Sequence, residues 1–92
     1  MELGKGEAII PGIKTVRLRD VVFQSRSTLP IATMRSDMIC YVIAGRLRIV
    51  QNGRGIWAAK NHVWTRAKGT QEQVTNEGSG IAIMRVTELL PA

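Results

Sequence analysis

The run Met38-Ile39-Cys40-Tyr41-Val42-Ile43-Ala44, closed by Gly45, is apolar at successive positions rather than at every second one. A strand written this way expects cover on both of its faces. The next five residues, Arg46-Leu47-Arg48-Ile49-Val50, alternate with period two. That places both arginines on one face and Leu47 and Ile49 on the other, so only one face is buried. Asn52-Gly53 follows, and both residues tolerate the positive φ that a type I′ hairpin turn requires. The turn is expected to return the chain along residues 55–59.

The rest of the chain is a string of short strands separated by turns. Residues 13–19 alternate, and we read Val16 and Leu18 as the inward pair, with a bend at Asp20 before residues 21–23. Residues 24–30 read as a loop or irregular edge, because Pro30 removes a ladder donor. A turn at 60–62 leads to a strand at 63–66, a tight turn at 67–69, a strand at 70–75, a turn at 76–80 and a last long strand at 81–88. No segment carries helical periodicity. About eight short strands joined by glycine turns predict an all-β sandwich or small barrel, closure of which removes exposed edges. Ninety-two residues suffice for one domain and one core.

Thirteen basic residues against seven acidic give a formal charge of +6. This raises the expectation of an anionic partner. The arginines are dispersed, however, and we read them as a solvated surface. Arg46 and Arg48, extended by Arg66 and Lys68, lack interleaved aromatics for base stacking, which argues against nucleic acid. Trp57 and Trp64 are expected near each other on paired strands. The single cysteine, Cys40, has no internal disulfide partner and fits a reducing cytoplasm. Neither a signal-peptide pattern nor an apolar run of membrane-spanning length is visible, so no membrane association is expected.

The segment around Gly45 resembles the first motif of the cupin superfamily, His-x-His, three or four residues, Glu, six residues, Gly, with Gly45 as the closing glycine. Gly69 and Asn76 stand at the separation of the inner glycine and final asparagine of the second motif, and the fifteen residues between Gly45 and Asn61 match a short inter-motif spacer. The resemblance implies a single-domain cupin-type double-stranded β-helix, a jelly-roll barrel. Its core would span residues 29–88, preceded by N-terminal strands in 1–28 that pack on or swap into the barrel and followed by a tail at 89–92.

The same resemblance implies metal ligands, and here the chain departs from it. The motif's glutamate falls on Met38, its histidines on Met34 and Ala32, and the second-motif histidine on Glu72. The longer spacer puts Thr33 and Ile31 at the histidine positions instead. The second motif's proline position is Ala67 and its first glycine position is Asn61, while the opening glycine of the first motif falls on Arg26. One carboxylate without imidazole partners holds a divalent ion weakly, so no metal and no other cofactor is expected. Met34, Met38 and Cys40 form a soft donor set suited to Cu(I), but methionines filling a vacated site explain them more simply.

We therefore expect a cavity lined by Ala32, Met34, Met38, Cys40, Glu72 and Val74 that binds a small amphipathic molecule. Glu72, with Arg35 or Arg85 as candidate partner, is the one candidate catalytic group. The expected function is a metal-free binding or sensing barrel. The alternatives are a metal-independent isomerase or epimerase using Glu72 as acid and base, or an atypical metal-dependent cupin enzyme. His62 is read as an exposed turn residue. The outer face of Ile39, Tyr41 and Ile43 requires cover, which predicts a homodimer, or alternatively two strands of the N-terminal segment laid over it within one subunit.

Overall fold

A computed structural model describes residues 1–91 as nine strands. In chain order they are β1 (Glu2–Glu7), β2 (Ile13–Phe23), β3 (Thr28–Thr33), β4 (Asp37–Ala44), β5 (Arg46–Gln51), β6 (Arg54–Ala59), β7 (Val63–Arg66), β8 (Gln71–Thr75) and β9 (Ala82–Pro91). They form a five-stranded sheet, β1-β2-β9-β4-β7, and a four-stranded sheet, β3-β8-β5-β6. Every pairing is antiparallel. The fold is all-β, as the strand pattern predicts, and it is the jelly roll that the family resemblance implies. Leu89, Leu90 and Pro91 continue β9 rather than forming a separate tail, and Ala92 lies outside the described residues. Among the described residues no helix is long and apolar enough to cross a membrane.

The core lies between the sheets. Met38, Cys40 and Val42 of β4 meet Leu47 and Ile49 of β5, Val74 of β8, and Ala82, Met84 and Val86 of β9. Each fully buried side chain of this size contributes about 1.5–3 kcal/mol. The doubly apolar β4 is covered on its inner face alone: Ile39 is 40% exposed, and Tyr41 and Ile43 are half-buried. β5 alternates as its sequence predicts, with Leu47 and Ile49 fully buried and Arg46 and Arg48 exposed.

Turn geometry fixes the register. Asn52 and Gly53 both have positive φ, 49° and 81°, and close the β5–β6 hairpin. Gly45 has φ 71°, and a Cβ there would stand 2.9 Å from the Ile81 carbonyl oxygen, so the strand crossing admits only glycine. Asn76 is buried, and its amide donates to the carbonyls of Phe23, Gln24 and Gly80 while its oxygen accepts from Gly78 N. One side chain thus pins the β2–β3 and β8–β9 loops together at one end of the barrel.

Four expectations are corrected. β2 runs unbroken through Asp20, whose carboxylate accepts from Arg85 at 2.9 and 3.2 Å. The inward face of β2 is Arg17, Arg19, Val21 and Phe23, not Val16 and Leu18, because Phe23 and Val21 pack on the core and set the parity. Trp57 and Trp64 do not pair, since the turn at 60–62 carries the chain from one sheet to the other. Trp57 instead lies exposed beneath the Arg46 and Arg48 guanidiniums, 5.1 and 5.4 Å from its ring, so an aromatic is interleaved with these charges after all. The irregular edge expected near Pro30 is present: residues 28–33 form an exposed edge strand with a register shift between Leu29 and Ala32.

Candidate functional site

The edge strand β3 stands away from the five-stranded sheet and leaves an open cavity of about 530 Å³. Ala32, Met34, Met38, Glu72 and Val74 all line it. Cys40 does not; it is fully buried in the core, flanked on the neighbouring strands by Trp64 of β7 and Val86 of β9. Burial pushes the Cys40 thiol up to about 11, against the lowering effect of nearby Arg66. Such a thiol is inert as a nucleophile at neutral pH.

Glu72 is 3% exposed and Arg66 5%. They meet across the barrel from the two sheets, Glu72 on β8 and Arg66 on β7, with Arg66 Nε 2.6 Å from Glu72 Oε1. The contact is a close, buried charge pair that favours the charged form of the carboxylate. Gln51 Nε2 donates to Glu72 Oε2 at 3.1 Å. The Trp64 indole N–H also faces the carboxylate and favours its charge without completing a bond. Burial nevertheless raises the Glu72 carboxyl above its ordinary range, outweighing the opposing effect of Arg66. The partner is therefore neither Arg85, which binds Asp20, nor Arg35, which lines the cavity without a carboxylate partner among the described residues. Arg66 belongs to the interior and not to a basic surface strip.

A second buried carboxylate, Glu88 of β9, borders the same cavity. Arg17 Nη2 donates to both of its oxygens at 3.0 Å, and Arg19 Nε stands 2.9 Å from Oε1. Sequence reasoning missed these three residues because it assigned β2 the opposite parity. Counting back from Phe23 in steps of two reaches Val21, Arg19 and Arg17, and the alternation of β9 places Glu88 with Val86 and Met84. His62 is exposed and stacks on Trp64 with ring centroids 5.9 Å apart, away from the cavity lining.

The fold's usual divalent metal does not fit these residues. Ala32 offers no donor atom, Met34 Sδ accepts from Arg66 Nη1 at 3.7 Å, and Glu72 is matched by a guanidinium. Among the described residues no three His, Cys, Asp or Glu side chains gather closely enough to hold a metal ion. The interior cation of this barrel is Arg66 itself.

No family model and no curated protein matches the sequence. Solved structures do match in shape. The cupin domain of Schizosaccharomyces pombe Cnp3 superposes with a TM-score of 0.77 at 14% identity over 95% of this chain, which spans 62% of that one. An RmlC-like cupin with a double-stranded β-helix fold from Methanocaldococcus jannaschii gives 0.76 at 13% identity, covering 83% of this chain and 71% of its own. A predicted oxalate decarboxylase from Thermotoga maritima gives 0.71 at 12% identity, covering 95% and 90%. Identities this low speak for architecture alone, and in architecture the chain has the cupin fold, a double-stranded β-helix.

Proposed function

We propose that the chain is a metal-free barrel that binds or senses a small molecule, acting as a homodimer in a reducing cytoplasm. The observation that carries the reading is the cavity of about 530 Å³, with apolar walls at Met34, Met38 and Val74 and buried charged groups converging on it. Sites of this size and composition are where small ligands bind. The unpaired, core-buried Cys40 supports the compartment, and the half-exposed outer face of β4 supports the dimer. Ala32 lines the cavity from an exposed edge strand, so Ala32→Trp fills it with little disturbance of the core. Native mass spectrometry and thermal shift against a metabolite library are expected to register a ligand on the parent chain and none on that variant. A parent that carries nothing and shifts with nothing would overturn the reading.

A second reading, a metal-independent isomerase or epimerase, is favoured by one observation: Glu72 lines the cavity with its carboxyl raised by burial, as a general acid or base requires. Substrate-dependent exchange of solvent deuterium into product, abolished in Glu72→Gln, is its expected signature. Exchange that persists in the variant excludes Glu72 as the base.

A further inference from the structure

We infer that the ligand is a small amphipathic anion, a carboxylate or its chemical equivalent on an apolar body; the inference rests on the cavity being a ligand site. Four guanidiniums, Arg17, Arg19, Arg35 and Arg66, line the cavity against two carboxylates, Glu72 and Glu88, an excess of two positive charges. Both carboxylates are already matched from within the chain, Glu88 by Arg17 and Arg19, Glu72 by Arg66. Neither is left to recruit a cationic ligand.

The donors are less well matched than the acceptors. Arg66 sends Nη1 and Nη2 toward only the thioethers of Met34 and Met84, at 3.7 and 3.2 Å, and sulfur is a weak acceptor. The Nε–H groups of Arg19 and Arg66 already face carboxylate oxygens, at 2.9 and 2.6 Å, so among the described residues it is the Nη groups of Arg66 that lack an oxygen acceptor. Buried donors left in this condition cost free energy that oxygen acceptors on a ligand would recover. Arg35 adds an unpaired positive charge at the exposed side of the opening. An anionic head fits the arginines, and an apolar body fits Leu29, Ile31, Met34 and Val74.

Isothermal titration with three eight-carbon probes, octanoate, 1-octanol and octylamine, tests the charge preference directly. Octanoate is expected to bind at least about tenfold more tightly than octanol, the worth of one charge-assisted hydrogen bond, and to weaken as salt rises. Octylamine is expected to bind least. Arg35→Gln, an exposed change that leaves the core intact, is expected to reduce octanoate affinity by about fivefold and leave octanol unchanged. Equal binding of octanoate and octanol overturns the anion preference while the cavity reading stands. Failure of all three probes overturns the inference also, and native mass spectrometry then decides the cavity reading independently.

Discussion

Glu72 sits between two opposing effects, a guanidinium 2.6 Å away that favours its charge and a buried setting that disfavours it. Burial is the larger. The folded-state pKa lies above the ordinary 4.5, so the folded chain keeps a proton that the unfolded chain releases. The sign follows: this contribution to stability is complete below pH 4.5 and is lost as pH rises through the folded-state value. The loss amounts to about 1.4 kcal/mol for each pH unit by which that value exceeds the ordinary one. Urea unfolding from pH 4 to 8 is expected to show this decline in the parent and a flatter profile in Glu72→Gln. A variant several kcal/mol weaker than the parent at pH 7 would show instead that the ion pair dominates. Glu72 was legible in the sequence because the cupin resemblance, anchored on Gly69 and Asn76, puts it at the second-motif histidine position. Its partner was not, because Arg66 reaches it across two sheets whose facing no local pattern encodes.

Among the elements, the bounds of β4, the Gly45 crossing and β5 were read almost to the residue, because a long apolar run, a one-sided run and an Asn-Gly turn each admit few geometries, but the cover expected on both faces of β4 is complete only on the inner one. β2 was read with the wrong face inward. Its period is two in either case, and local alternation cannot tell a pair of arginines that neutralise a buried Glu88 from a pair facing water. Gly45 and Gly53 separate backbone strain from steric exclusion. Both have positive φ, but only Gly45 faces atoms that block a Cβ, with Ala82 Cβ and Ile81 O each at 2.9 Å. Gly53→Ala is expected to cost about 1 kcal/mol, and Gly45→Ala roughly 2–4 kcal/mol, by chemical denaturation. Equal costs at the two sites would mean that the β4–β5 crossing relaxes around the added methyl.

At the scale of the whole molecule, nine strands close one core but leave a sheet face without cover. Ile39 is 40% exposed and Val63 55%, and the β4–β7 register puts Val63 opposite Tyr41 on that same outer face. β1 lengthens the sheet by pairing with β2 at its far edge, and does not lie over this face. A second copy related by a two-fold axis offers the same apolar strip, which suits an isologous contact. The cavity opens between β3 and the inner face of the five-stranded sheet, so such a contact leaves the ligand site free. Sedimentation at micromolar concentration is expected to give a dimer for the parent and a monomer for Ile39→Lys, which places a charge at the centre of the strip. The variant is expected to keep its fold and its octanoate binding, because Ile39 contributes to neither the core nor the cavity. A monomeric parent would remove the dimer and leave the cavity and its arginines as they stand.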